Sequence, residues 1–165
     1  MARWAPPQPG IVKINVDGAV ARSQGGGACS AVCRDDRGRF LGSSSVKING
    51  ITCPVTLEAM ACAEAMSLAT DLHVRNLLIA SDCLSVVKEL QSKQSGGPHC
   101  MVIKEILSRR SSFQDVFYIH ERREANGEAH RLARSTTTLD AGRHVWLGNP
   151  PNGLGIPVIL SITDQ

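Results

Sequence analysis

Aromatic side chains are scarce in this sequence, at 4% of its 165 residues. A hydrophobic core must therefore be built from Val, Ile, Leu, Ala and Met. No apolar run approaches the roughly 20 residues that a membrane-spanning helix needs, and the N-terminus carries no apolar segment of the signal-peptide type. We therefore expect a soluble, intracellular protein with no membrane partner, in which the six cysteines are thiols.

A strong excess of one charge is also missing, since the formal net charge is +3. Dedicated electrostatic binders of nucleic acid usually concentrate far more positive charge. Arginines nevertheless crowd the last third of the chain, where they are interleaved with Glu121, Glu124 and Glu128. This mixture fits a solvated face and a phosphate-binding face equally well.

The composition is that of an ordinary globular protein, with 42% hydrophobic and 20% charged residues, and the length suits one domain. Three prolines before Gly10 indicate that residues 1–10 are an extended lead-in. We predict one α/β domain over residues 11–142. We expect an irregular tail over residues 143–165, which contain Pro150-Pro151 and several glycines.

Hydrophobic periodicity sets the order of the secondary-structure elements. The predicted strands are 11–17, 28–34, 39–48, 76–80 and 115–120, and the predicted helices are 54–70, 83–90, 99–109 and 125–137. The segment 18–27, which includes three consecutive glycines, is predicted to be a loop. The order β-β-β-α-β-α-α-β-α is typical of an α/β fold with a five-stranded mixed sheet and helices on both faces.

Three carboxylates stand where this topology could bring them together. Asp17 ends the first strand, Glu58 lies early in the first helix, and Asp82 follows the fourth strand. Strands one and four can be neighbours in the sheet, with the helix packed over their ends. Three acids in one small volume repel each other, so a divalent cation is their natural stabiliser. Two such ions about 4 Å apart are the standard arrangement for phosphodiester hydrolysis.

Each acid also has a purely structural interpretation. Asp17 with Gly18 could form a turn, Glu58 could complement the positive end of its helix, and Asp82 could cap the next helix. For any one residue alone, the structural interpretation is favoured. Their joint placement at two strand ends and an early helical position is much less expected by chance, and it predicts a metal site.

Four segments of the chain carry a family resemblance, in this order: Lys13-Ile-Asn-Val-Asp-Gly-Ala19, Leu57-Glu-Ala-Met-Ala-Cys-Ala-Glu-Ala65, Ser81-Asp-Cys-Leu-Ser-Val-Val87 and Arg123-Glu-Ala-Asn-Gly-Glu-Ala-His-Arg-Leu-Ala133. Together they resemble the ribonuclease H domain, in the branch found in plants and in plant retroelement-like proteins. The resemblance covers roughly residues 4–151. It implies a fold of five strands with flanking helices and Mg²⁺- or Mn²⁺-dependent cleavage of the RNA strand in RNA–DNA hybrids.

The resemblance also implies roles for individual residues. Asp17, Glu58 and Asp82 match the family's metal ligands, which hold two ions. Where the best-studied members have an Asp four residues after an Asn, this chain has Asn126 followed by His130. A neutral imidazole ligates Mn²⁺ more comfortably than Mg²⁺, so His130 is assigned as a catalytic and metal-binding residue. A solvent-facing helical histidine is the alternative, and the three glutamates of the last third could substitute at the metal.

Further residues are assigned through the same resemblance. His120 matches, by its spacing ahead of Asn126, a mobile histidine that assists proton transfer or product release, although its place between a strand and a charged loop favours an exposed histidine without that role. The predicted nucleic-acid contacts are Gly18, Gly26, Cys83, Asn126 and Arg123. The family often places Asn residues before the Glu-bearing helix to read the minor groove. Here Cys53-Pro-Val-Thr56 stands in their place, so hybrid selectivity is the least determined property.

Two other functions compete with a hybrid nuclease. One is a catalytically weak or inactive module of the same fold that binds nucleic acid or protein, which His130 favours. The three intact acids count against it, because clustered carboxylates without a use destabilise a fold. The other is a 3′–5′ exonuclease of a related fold. That enzyme would need an Asp-x-Glu pair on the first strand, and Asp17-Gly-Ala19 lacks the Glu.

Overall fold

The alternating segment that begins at Ile11 becomes the central strand of a mixed sheet in the computed structural model, which describes residues 3–160. The strands are β1 (Val12–Ala21), β2 (Gly26–Arg34), β3 (Phe40–Asn49), β4 (Asn76–Ser81), β5 (Asp115–His120) and β6 (Gly142–Leu147). The helices are α1 (Pro54–Asp71), α2 (Leu84–Ser92), α3 (Cys100–Arg109) and α4 (Gly127–Thr136). Within these residues, no helix combines the length and apolar character needed to cross a membrane.

The strand order across the sheet is β5-β4-β1-β2-β3-β6. Strand β1 is antiparallel to β2 and parallel to β4, with Val12 opposite Leu77 and Val16 opposite Ser81. The predicted proximity of the first and fourth strands is therefore confirmed. Because β1 and β4 are parallel and their pairing stops at Val16 and Ser81, the residues that follow this pair on the two chains lie side by side where β4 ends.

Helices cover both faces of the sheet, as the element order predicts. On one face, Ile14 and Val16 of β1 are fully buried in a core that also contains Met66 of α1 and Ile103 of α3. On the other face, a smaller core joins Val32 and Phe40 of the sheet to Leu132 of α4 and to Ile156. The polar residues that alternate with Ile14 and Val16 on β1 therefore lie under α4 and not in solvent.

The predicted loop over residues 18–27 is wrong for most of its length. Strand β1 continues to Ala21, which pairs with Gly26, and only Arg22–Gly25 make the turn. The small residues serve packing, because a Cβ on Gly27 would lie 2.5 Å from Cδ1 of Leu57. A glycine-rich segment predicts a loop by its local pattern, whereas here the glycines make room for a helix side chain.

The predicted number of five strands is also wrong, because β6 adds a sixth within the stretch expected to be irregular. It pairs antiparallel with β3 at the sheet edge. Arg143 anchors it to α1, with Nε donating to Glu64 at 2.6 Å and Nη2 to Asp71 at 2.6 Å. Residues 148–160 contribute one further bridge, between Ile159 and Arg39. The remaining positions of the predicted tail, 161–165, lie outside the described residues.

Candidate metal centre

Parallel pairing of β1 and β4 places two of the three acids. Val16 pairs with Ser81, and the next residue on each side is an aspartate, Asp17 and Asp82. The side chain of Asp17 is buried, with 3% of its surface exposed. The side chain of Asp82 is mostly covered where the chain leaves β4. Both carboxylates therefore lie at one edge of the sheet.

The third acid reaches this edge because α1 packs unusually close to β1. A Cβ added to Gly18 would lie 2.9 Å from Cβ of Leu57 and 3.0 Å from the backbone nitrogen of Glu58, so only glycine fits there. The Gly18 N–H donates to Oε1 of Glu58 at 3.0 Å, and the Ser81 hydroxyl donates to Oε2 at 3.4 Å. These two donors aim the Glu58 carboxylate at the strand ends.

The geometry does not fit the purely structural interpretations of the three acids. Asp17 lies inside a continuous strand and not in a turn. Glu58 lies beyond the first turn of α1, which begins at Pro54, and its carboxylate contacts β1. Asp82 does not cap α2, because the cap position is Cys83, whose N–H donates to the Ser81 hydroxyl. Each carboxyl group is instead directed toward the other two.

The three carboxylates converge closely enough to share a cation. One oxygen from each of Asp17, Glu58 and Asp82 lies within 4.8 Å of the others. Two oxygens on opposite sides of an ion bonded at about 2.1 Å are separated by about 4.2 Å, so a small closure would bring all three into contact with Mg²⁺. Oxygen donors are also the ligands that Mg²⁺ and Mn²⁺ prefer. The residues therefore fit a divalent metal ion.

The raised pKa values of two of the acids also favour binding of a divalent metal ion. Burial, followed by the neighbouring charges of Asp17 and Asp82, raises the pKa of Glu58 to about 10. Burial and Asp17 also raise the pKa of Asp82, against the lowering effect of Arg123. The Arg123 guanidinium lies 3.5 Å from Asp82 and is 78% exposed. A carboxylate cluster in this condition lacks compensating positive charge, which a divalent cation supplies.

His130 lies beside the cluster, on the first turns of α4. Its Nδ1 is 2.8 Å from Oδ2 of Asp17, and its side chain is 44% exposed. The ring therefore contacts a member of the cluster and does not simply face solvent. Within residues 3–160, the group of mutually close ligand atoms consists of the three acids alone. Metal ligation by His130 stays a prediction.

Two of the three glutamates that could replace His130 are committed elsewhere. Glu121 accepts hydrogen bonds from Lys13 and Asn15. Glu128 forms a bidentate ion pair with Arg34, whose Nε and Nη2 donate to the two carboxylate oxygens at 2.9 and 2.7 Å. Glu124 is exposed and lines the cleft next to the acids. These partners are distant in sequence, so local patterns could not distinguish among the three residues.

An open cleft of about 620 Å³ leads to the acids, and Glu58 and Asp82 form part of its lining. Cys83, His120 and Arg123 also line it. The Nε2 atom of His120 lies 3.2 Å from the backbone oxygen of Asp82, so His120 is placed beside the cluster as the resemblance implies.

The residues expected to contact nucleic acid separate into two groups. Gly18 packs against α1, and Gly26 packs against β3, where a Cβ would lie 2.3 Å from the oxygen of Ile48. Asn126 is 1% exposed and uses its amide within the protein. Cys83 and Arg123 are the members of the predicted set that line the cleft.

The raised pKa of Glu58 predicts how the metal-free protein responds to pH. The folded protein keeps the Glu58 proton up to about pH 10, whereas the unfolded chain releases it near the ordinary value of 4.5. Folding therefore takes up a proton between these values, and stability falls as pH rises through this window. We expect Glu58→Gln, which keeps the acceptor for Gly18, to flatten the pH dependence of the melting temperature. An unchanged slope in the variant would show that Glu58 is not the responsible group.

Comparison of the sequence with known proteins gives two results. The family model described as reverse transcriptase-like matches residues 15–136. Among curated proteins, a search found no sequence match to the chain.

Three solved structures of similar fold are ribonucleases H. Ribonuclease H1 from the halophilic archaeon Halobacterium salinarum NRC-1 has a TM-score of 0.70 at 21% identity, over 77% of this chain and 96% of that chain. The N-terminal ribonuclease H domain of a Mycobacterium tuberculosis protein has a TM-score of 0.69 at 22% identity. The match covers 77% of this chain and 93% of that chain. LC11 ribonuclease H1 was isolated from compost by a metagenomic approach and solved in complex with an RNA/DNA hybrid. It has a TM-score of 0.66 at 21% identity, and the match covers 75% of this chain and 94% of that chain. At this identity the likeness shows the fold.

Proposed function

Because this chain belongs to the reverse transcriptase-like family and has the ribonuclease H-like fold, we propose that it hydrolyses the RNA strand of RNA–DNA hybrids with divalent metal ions. The observation that carries the proposal is the convergence of Asp17, Glu58 and Asp82 oxygens to within 4.8 Å. The hybrid as substrate is supported by the resemblance and by the LC11 relative, which was solved with an RNA/DNA hybrid.

The three acids would hold Mg²⁺ or Mn²⁺, with His130 beside Asp17. Two bound ions supply positive charge and Lewis acidity at the scissile phosphodiester. Gly18 and Ser81 keep Glu58 aimed into the cluster through their hydrogen bonds. Because α1 and β1 are rigid packed elements, the carboxylates are held in place before any ligand arrives, which reduces the cost of binding.

Two residues at the cleft would act on the nucleic acid itself. The Arg123 guanidinium contacts Asp82 at a distance of 3.5 Å and is largely exposed, so it can turn from the carboxylate toward a backbone phosphate. His120 is exposed at the same cleft, and an imidazole ring has one nitrogen that donates a proton and another that accepts one. We assign phosphate binding to Arg123 and proton transfer to His120.

The direct test is cleavage of a 5′-labelled RNA–DNA hybrid in Mg²⁺ and, separately, in Mn²⁺. We expect cleavage of the RNA strand that depends on metal, that is stronger in Mn²⁺ because His130 replaces an oxygen ligand, and that is lost when EDTA removes the metal. Duplex DNA and duplex RNA of the same sequence should remain intact. Absence of metal-stimulated cleavage in both metals would reject the nuclease.

A non-catalytic hybrid-binding module is the second candidate function, and the position of His130 favours it. The ring lies next to Asp17, where a fourth acid would complete the site that the family resemblance implies. Binding of the hybrid in a gel-shift assay without cleavage in either metal would select this function over the nuclease.

A further inference from the structure

A charged pair is buried on the polar face of β1, beside the lead-in. Lys13 is 1% exposed, and its Nζ donates to the Glu121 carboxylate at the end of β5. The same ammonium donates to the backbone oxygen of Ala5 at 2.7 Å and lies 5.4 Å from the centre of the Trp4 ring. The pair therefore joins three distant parts of the chain, which are the lead-in, the central strand and the loop before α4.

The Asn15 side chain connects this pair to the rest of the site. Its Nδ2 donates to Oε1 of Glu121 at 2.9 Å and to Oδ1 of Asn126 at 3.1 Å. Its Oδ1 accepts a hydrogen bond from Nε1 of Trp4 at 3.2 Å. Both amide protons and the carbonyl oxygen of Asn15 are used, so the orientation of the amide is fixed.

Asn126 passes this constraint to α4. Its Nδ2 donates to the backbone oxygen of Val16 at 2.8 Å, which ties the start of the helix to β1 next to Asp17. Its backbone oxygen accepts from the His130 N–H at 3.1 Å, in the first turn of α4. A continuous set of hydrogen bonds therefore runs from Lys13 and Glu121 to the backbone of His130, whose ring contacts Asp17.

A buried ion pair such as Lys13 and Glu121 contributes little net stability to a fold. Burying a charged pair costs several kcal/mol of desolvation per ion, and well-packed apolar residues often serve stability equally well. What a fully bonded polar network does provide is a single fixed geometry. The geometry fixed here is the position of the N-terminal turn of α4 over Val16 and Asp17 of β1.

We propose that Lys13, Asn15 and Glu121 form a positioning unit that holds His130 against Asp17, and that the lead-in residues Trp4 and Ala5 belong to this unit. The effect of this unit on cleavage rests on the proposed function, whereas its effect on the position of His130 does not. Trp4 and Ala5 precede the segment that the family model matches, so the support of the site extends into the lead-in.

The test variant is Glu121→Gln, with Arg143→Met as its matched control. Arg143→Met removes ion pairs that join β6 to α1, away from α4. Amide hydrogen exchange of His130, measured by NMR without metal, should be at least about tenfold faster in Glu121→Gln than in the control, because the first turn of α4 opens locally. Equal exchange rates in the two variants would overturn the proposal.

Activity gives a second readout that general destabilisation does not mimic. We expect Glu121→Gln to lower kcat about tenfold with little change in KM for the hybrid, since a displaced ring weakens the reacting geometry and leaves substrate binding intact. In a His130→Ala background the same substitution should no longer lower kcat. A loss that persists undiminished without His130 would refute positioning through that ring.

Glu121→Gln leaves the Lys13 ammonium buried without its partner, which could unfold the chain. The double variant Lys13→Met/Glu121→Gln removes both charges and keeps an acceptor for Asn15, and it takes the place of the single variant if that one does not fold. The two proposals remain separable. A wild-type protein that does not cleave, combined with faster His130 exchange in the variant, rejects the nuclease and retains the positioning unit.

Discussion

Asp17→Asn is expected to abolish cleavage of the hybrid and, in the absence of metal, to raise the melting temperature. Asp17 is the central acid, since it contacts His130 and contributes to the raised pKa of both Glu58 and Asp82. Asparagine keeps the shape of the side chain and an acceptor for His130, but it removes a charge from the cluster of Asp17, Glu58 and Asp82. We expect activity to fall by about a thousandfold or more, as when a residue of a concerted catalytic unit is lost.

The stability change has the opposite sign because the same charge is unfavourable when no cation is bound. Relief of roughly 1 kcal/mol of carboxylate repulsion would raise the melting temperature by about 2–4 °C. Asp71→Asn is the matched control, since Asp71 pairs with Arg143 at the far end of α1. The control should keep full activity and lose a little stability. Retained cleavage in Asp17→Asn, or a lower melting temperature without metal, would contradict the proposed metal site.

His130→Asp is the second substitution with a large expected effect. A carboxylate in place of the imidazole adds an oxygen ligand beside Asp17, and Mg²⁺ prefers oxygen to nitrogen ligands. We expect cleavage in Mg²⁺ to rise about tenfold relative to cleavage in Mn²⁺, which corresponds to roughly 1.4 kcal/mol of transition-state stabilisation. Rates in the two metals, measured side by side on the same hybrid, give the ratio directly.

The same substitution should destabilise the metal-free protein, because a fourth carboxylate replaces a ring that lies 2.8 Å from Asp17. Added Mg²⁺ should then raise the melting temperature of the variant more than that of the wild type. His73→Asp is the control for the change in net charge. His73 is exposed and follows the end of α1, which runs about 20 Å from Glu58 to Asp71, and it has a positive φ that Asp tolerates. A metal ratio unchanged in His130→Asp would exclude position 130 from the metal site.

The convergence of the three acids could be predicted from the sequence because each signal is local. Alternation ends at Asp17, a buried apolar run ends at Ser81 before Asp82, and Pro54 fixes the start of the helix that carries Glu58. Parallel pairing of these two segments places Asp17 next to Asp82, although β1 itself continues to Ala21. The predicted neighbours β1 and β4 are confirmed by the register of the sheet.

The features that the sequence could not predict depend on contacts between distant residues. Strand β6 has a weak local pattern and is held by Arg143, whose partners Glu64 and Asp71 lie more than 70 positions earlier. Lys13 and Glu121 are 108 positions apart. Alternation correctly places Lys13 on the polar face of β1, but it does not reveal that α4 covers that face. Composition alone likewise cannot show that Gly18 and Gly27 make room for α1.

The order of strands in the sheet also affects how the protein folds. Strand β1 meets β2 through a short turn, but it meets β4 only after 65 positions of intervening chain, from Val12 to Leu77. Local pairings form early, whereas pairings that close long loops form late and slow the reaction. The cluster of Asp17, Glu58 and Asp82 needs the pairing of β1 with β4, so it is absent while the hairpin of β1 and β2 forms. A cation that recognises the completed cluster therefore acts mainly by slowing unfolding, and it leaves the rate of folding nearly unchanged.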